Sequence, residues 1–166
     1  MPLTTVIDAN VSAALTSALD LVTAAAPLNL PTRITMPTGT GTGQADLCWS
    51  DTRTVAGSGT DALDLAGTLT GNLGGILTIV KLKALLVRAA AGNANNVRLN
   101  RPASNGVPLF LAASDGIDIL PGGLFLWVAP GAGVTVTAAT GDLINIDNSG
   151  AGTSVTYDVV LVGTSA

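Results

Sequence analysis

Apolar residues alternate along much of the chain, and the clearest case is Gly75 to Arg88, GILTIVKLKALLVR. Alternation assigns Ile76, Val80, Leu82, Ala84 and Leu86 to one face, and Leu77, Ile79, Leu85 and Val87 to the other, interrupted only by Lys81 and Lys83. A buried helix of similar length is the competing reading. Gly74-Gly75 in front and the β-branched content favour a strand. A strand apolar on both faces belongs in the middle of a sheet, with a second sheet or a neighbouring subunit over the lysine-bearing face. Each lysine there must reach solvent or meet a carboxylate, with Asp51, Asp64 and Asp158 the candidates.

Shorter strands flank this one. Ala45 to Val55, Ala62 to Thr70, Val97 to Arg101, Val107 to Ala112, Ile117 to Leu120, Leu124 to Ala129, Val134 to Ala138, Leu143 to Ile146 and Val155 to Val162 are separated by Gly, Pro, Asn and Asp clusters. Leu124, Leu126 and Val128 oppose Phe125 and Trp127, and Val155, Tyr157, Val159 and Leu161 share one face. About eight to ten strands with turns every 8–12 residues, and no helical segment between them, predict an all-β fold: an antiparallel β-sandwich or jelly-roll-like domain over residues 45–166.

Residues 1–44 have a different texture and are expected to form an N-terminal extended or weakly helical arm with a Gly/Thr linker. Val11, Leu15, Leu19 and Val22 fall at helical spacing between Asn10, a candidate N-cap, and Pro27. The same residues also fit an extended segment lying along a neighbour. A helix this short is marginal alone, so the arm needs a docking surface in its own domain or on another subunit. Pro27, Pro31 and Pro37 punctuate the next stretch, and TGTGTG at 38–43 reads as an uncharged, flexible linker.

Composition narrows the function. Only 11% of residues are charged, against about 25% in ordinary soluble domains, while mean hydropathy is +0.54. The apolar runs are too short and broken for a membrane helix of ~20 residues, so no membrane is expected. An apolar, weakly charged chain instead points to surface buried against other chains, in an obligate oligomer or a shell. A net charge of −4 without a basic run argues against nucleic acid. The lone Cys48, between Leu47 and Trp49, is expected to be a buried thiol. MPLTTVIDANVSAAL lacks the basic stretch of a signal peptide, and cytoplasmic synthesis is expected.

The chain contains no His and no Glu. That removes His-based triads, the commonest zinc sites and the usual general bases. Asp61 and Asp64 form a candidate acid and base pair acting on a polysaccharide, but their setting favours turn carboxylates that accept backbone N–H groups. Asp115 and Asp118, in DGID, supply too few ligands for calcium. TGTGTGQ and GTLTGNLGG lack the Lys of a phosphate loop. Trp49 and Trp127, among aliphatic neighbours, read as packing residues more than sugar platforms. We expect no enzyme activity, cofactor or metal.

Trp49-Ser50-Asp51, Gly59 to Gly67 (GTDALDLAG), Val80-Lys81, Pro121-Gly122-Gly123 and Tyr157 with Gly163 together resemble small virion structural proteins of tailed bacteriophages, across about residues 49–163. The resemblance implies a Gly-, Ala- and Thr-rich sandwich that decorates a head or forms a spike or fibre. It also implies a homotrimer on the capsid surface, bound to the major capsid protein and without catalysis. Val11, Leu15, Leu19, Val22, Lys81 and Lys83 are the candidate oligomer or capsid contacts. The alternative is an adhesin module reading a host cell-surface glycan through loops at 102–106 and 114–123.

Overall fold

A computed structural model describes residues 2–166. Eleven strands run in the order β1 (Thr5–Ala18), β2 (Thr23–Met36), β3 (Leu47–Val55), β4 (Thr60–Asp64), β5 (Lys81–Ala89), β6 (Val97–Asn100), β7 (Gly116–Ile119), β8 (Leu124–Val128), β9 (Val134–Thr135), β10 (Leu143–Asn148) and β11 (Val155–Thr164). All pairings between these strands are antiparallel.

From β3 onward the chain is a sandwich of two sheets, one ordered β3-β11-β5-β8 with the short β9 beside β5, the other β4-β10-β6-β7. Across the two sheets β3 pairs with β11, β4 with β10, β5 with β8 and β6 with β7. A long hairpin wound on itself leaves these pairings, which is jelly-roll topology. The inward residues of both sheets form one core that includes Val55, Leu63, Leu85, Val87, Leu99, Ile146, Val155, Tyr157, Val159 and Leu161. Phe125 and Trp127 pack against it while Leu124 and Val128 turn outward, as alternation predicts.

Only the second half of the long apolar run is a strand: Lys81–Ala89 form β5, interior between β11 and β8, while 75–80 is irregular, with Leu77 and Ile79 buried but Ile76 75% exposed. The pattern of β5 departs from simple alternation at one residue. Val162 pairs with Ala84 but Gly163 pairs with Leu82, so Lys83 is an extra residue on β5, a β-bulge. The bulge moves Leu82 into the core with Leu85 and Val87, correcting its placement with Ala84 and Leu86. Gly163 permits this: a Cβ there would lie 2.5 Å from the Lys81 carbonyl oxygen.

One other expected strand is lost and another, Ala62 to Thr70, is cut short at Asp64. Val107 to Ala112 is irregular, although Val107 itself is buried at 1% exposure and donates its N–H to the Leu143 carbonyl at 2.9 Å. The segment after Asp64 turns immediately, its carboxylate accepting the Ala66 N–H at 3.1 Å. Cys48 is exposed rather than buried, since the strand that turns Trp49 inward turns its neighbour outward.

Residues 5–36 contain no helix. They form a two-stranded ribbon of two 14-residue strands, which spans about 46 Å at ~3.3 Å per residue. The tip is closed by Leu19 N–H donating to the Val22 carbonyl at 2.9 Å. Pro27 and Pro31, an even number of residues apart, direct their nitrogens to the same outer edge of β2, so neither removes a ladder bond. The Gly/Thr segment after the ribbon is a hydrogen-bonded turn: Gln44 Oε1 accepts from Gly41 N–H, and Gly43 N–H donates to the Pro130 carbonyl.

Candidate functional site

Two surfaces of the molecule are built for contact. The first is the ribbon. Its register places Ile7 opposite Ile34, Ala9 opposite Thr32, Val11 opposite Leu30, Ala13 opposite Leu28 and Leu15 opposite Ala26, all on one face. The other face carries Asp8 opposite Arg33, Asn10 and Ser12, and the Asp8–Arg33 pair at 3.3 Å is exposed and contributes little to stability.

The apolar face is covered only at its root. There Met36, Ile7 and Ile34 pack with Ala84, Val128, Val160 and Val162 on the outward face of the five-stranded sheet, forming a second small core. Further out the same face lies in solvent, with Val11 59%, Leu15 77%, Leu28 53% and Leu30 61% exposed. Beside the root, Leu86, Leu124, Leu126 and the Cys48 side of β3 line a groove of about 470 Å3. Desolvation there pushes the Cys48 thiol up from its ordinary value.

Val11 and Leu15 therefore lie on one contact face as a strand, not as a helix, and Leu19 and Val22 sit apart at the tip. Leu28 and Leu30, hidden in the sequence among prolines, complete that face. Their period of two, repeated by Thr32, Ile34 and Met36, is the signal that marks them. Lys81 donates to Thr135 Oγ1 at 2.7 Å. Lys83, 2% exposed, donates to the Gly131 carbonyl and is enclosed by its own chain. Neither lysine meets an expected carboxylate. Asp51 pairs with Arg53, Asp64 caps Ala66, and Asp158 accepts from Arg88 and Thr52.

The second surface is the outward face of the four-stranded sheet. Register aligns two polar rows, Thr60–Asp147–Arg98–Asp118 and Ala62–Asn145–Asn100–Gly116. Arg98 holds Asp118 in a two-pronged bond, Nε to Oδ1 at 2.6 Å and Nη2 to Oδ2 at 3.2 Å. This keeps the Asp118 carboxyl below its ordinary range and the guanidinium above its own. Asn100 donates to Asp147 Oδ2, while Asp147 Oδ1 is buried without a hydrogen-bond partner among the described residues. Together with Pro102, Ala103 and Ser114 these residues line a concavity of about 580 Å3.

The carboxylates considered for catalysis or metal have other partners. Asp61 and Asp64, three apart on β4, point to opposite sides of the strand. Asp61 accepts Arg53 and the Tyr157 hydroxyl, and Asp115 accepts the Ala112 N–H at 2.9 Å. Trp49 is in the core at 4% exposure, its indole donating to the Thr70 carbonyl at 3.0 Å.

No protein-family model matches this sequence, and neither the curated proteins nor the solved structures give a match.

Proposed function

We propose that this chain is a non-enzymatic structural protein that works as an assembled subunit, and specifically a decoration protein that binds and stabilises a phage head as an oligomer. The observation that carries this reading is the ribbon: an apolar face open to water over most of its length, in a protein with very few charges. Exposed apolar area of this kind is stabilised only when another surface covers it. A jelly-roll sandwich supports the reading without selecting it, since capsid and lectin domains share that topology. Mechanically, such a protein adds buried apolar surface between shell subunits. At ~25 cal/mol per Å2, roughly 1,600 Å2 gives tens of kcal/mol before the cost of association.

Light scattering of the full chain is expected to give an oligomer, and the oligomer is expected to co-sediment with phage heads that lack it. A monomer that stays in the supernatant would remove this reading.

A second reading has its own observation. The loops at 102–106 and 114–123 contribute Pro102, Ala103, Ser114 and Asp118 to the polar concavity, whose mixture of carboxylates, amides and a guanidinium suits the hydroxyls of a sugar. This reading makes the chain an adhesin module of a fibre or spike. It expects glycan-array binding by the intact protein that falls at least tenfold in Asn145→Ala, and an array without signal for the intact protein discards it.

A further inference from the structure

The ribbon's exposed face has a matching surface on the same chain. At the root, Ile7, Ile34 and Met36 already lie on the outward face of the five-stranded sheet, against Ala84, Val128, Val160 and Val162. That contact shows what kind of surface the ribbon fits: a flat sheet face of aliphatic side chains without charge. Beside that contact the same sheet face carries Leu86, Leu126 and Leu124, the last 58% exposed, along a groove whose other wall is residues 3–8 of the same chain. The apolar stretch ends at the Arg88–Asp158 ion pair, where Arg88 stands opposite Leu124. The ribbon runs on past its own root, so its outer part does not cover these residues in its own chain. Two apolar surfaces of one chemistry, each partly open to water, are thus continuous through a contact of that chemistry.

We propose that the outer apolar face of the ribbon, Val11, Leu15, Leu28 and Leu30, seats on the outward face of the five-stranded sheet of a second copy of this chain, over Leu86, Leu124 and Leu126. This rests on the reading of the chain as an assembled subunit and names the surfaces that join it. The ribbon face carries no charge, and Asp8 and Arg33 on its back neutralise one another, so nothing on it selects a charged partner.

Size decides how the copies are arranged. The outer nine residue pairs make a face about 30 Å long and about 10 Å wide, roughly 300 Å2 on each side of one contact. One such contact buries about 600 Å2 in total, below the ~1,200 Å2 of a stable interface. Reciprocal exchange, in which each chain both gives its ribbon and receives another, doubles the buried surface and reaches that bound. Each chain is therefore both donor and acceptor.

Three full-length proteins test this: the unaltered chain, Leu15→Asp with Leu30→Asp, and Leu124→Asp. All three altered positions are more than half exposed, at 77%, 61% and 58%, so none disturbs the subunit's own core. Circular dichroism of each is expected to be unchanged. Light scattering across a dilution series is expected to give an oligomer for the unaltered chain and an apparent Kd raised at least 100-fold in both variants. In a Cys48→Ser background, oxidation of a mixture of Leu28→Cys and Leu124→Cys chains is expected to give a mixed disulfide-linked dimer. An oligomer that survives both aspartate variants overturns this inference but leaves the assembled-subunit reading standing. The same holds if the ribbon variant alone dissociates and no mixed disulfide forms, because the ribbon then seats elsewhere. A monomeric unaltered chain at about 100 μM overturns both.

Discussion

Replacing Asp61 by Ala is expected to lower the stability of the sandwich by about 2–4 kcal/mol at neutral pH, read as a fall in the urea midpoint. Asp61 stands on β4, at the edge of the four-stranded sheet, and Arg53 on β3, at the edge of the five-stranded one. Their bidentate bond, Arg53 Nε to Oδ2 at 2.5 Å and Nη2 to Oδ1 at 2.9 Å, ties the two edges together. Tyr157, fully buried on β11, adds its hydroxyl to Asp61 Oδ2 at 2.9 Å. Removing the carboxylate leaves the tyrosine hydroxyl without its acceptor in the core and a guanidinium largely withdrawn from water, its side chain 31% exposed. The tyrosine hydroxyl then costs desolvation without compensation, and the guanidinium keeps only its bond to the partly exposed Asp51 at 3.2 Å.

The same carboxylate gives an acid dependence with a definite sign. Burial raises the Asp61 pKa, but the hydrogen bonds from Arg53 and Tyr157 and the guanidinium charge together outweigh it, and the net shift is downward. A carboxylate lowered in the folded state contributes stability above its unfolded value of about 3.9 and loses it as pH falls through the folded value. The gap between the unaltered protein and Asp61→Asn is therefore expected to be full at pH 6–7 and to close below about pH 4. Superimposable urea curves for the unaltered protein and Asp61→Ala at pH 7 would show that the edges hold without this tie. Burial first, then the Asp61 charge and hydrogen bond, push the Tyr157 phenol well above its ordinary range, so it stays protonated throughout.

The sandwich is legible in the sequence because one face of most strands is buried by a single partner sheet. Val155, Tyr157, Val159 and Leu161 alternate with residues half-buried or facing out, and every one of the four is fully buried. Phe125 and Trp127 turn toward the same core but are only half-buried. The ribbon is less legible because Ala and Thr dominate it, which flattens the contrast between period two and period 3.6, and because Pro27 and Pro31 read as breaks. Only the cross-strand register shows that Leu28 belongs opposite Ala13 and Leu30 opposite Val11. The polar concavity is legible only as loops, since its rows assemble from β10, β6 and β7 by long-range pairing.

Loop anchors are hidden for the same reason. Asn148, 5% exposed, donates to the carbonyls of Val55, Ala56 and Thr153 and accepts from Asn95, holding three loops that lie far apart along the chain. Nothing in the local run IDNSGAG distinguishes it from an ordinary turn asparagine.

Lys83→Met is expected to raise stability by about 1–2 kcal/mol at neutral pH. The lysine sits at the β5 bulge, 2% exposed, with the Gly131 carbonyl as its hydrogen-bond acceptor. The loop folds tightly over it at Gly133, whose φ of +67° and close approach to the Leu82 carbonyl exclude a side chain. Burial lowers the Lys83 pKa, and the positive charge of Lys81 lowers it further. Methionine fills a similar volume without a charge to desolvate, and replacing buried charges by apolar groups of similar size commonly stabilises by about 1–4 kcal/mol. Loss of the bond to Gly131 takes back about 1 kcal/mol. The sign with pH comes from the lowered folded value. Between that value and about 10.4 the unfolded chain binds more protons than the folded one, so the stability of the unaltered protein rises with pH through this window. The advantage of Lys83→Met is accordingly expected to be largest at neutral pH and to shrink toward pH 10 in urea titrations. A methionine variant that is less stable than the unaltered protein at pH 7 would show that the bulge depends on the ammonium bond to Gly131 more than it suffers from burying the charge.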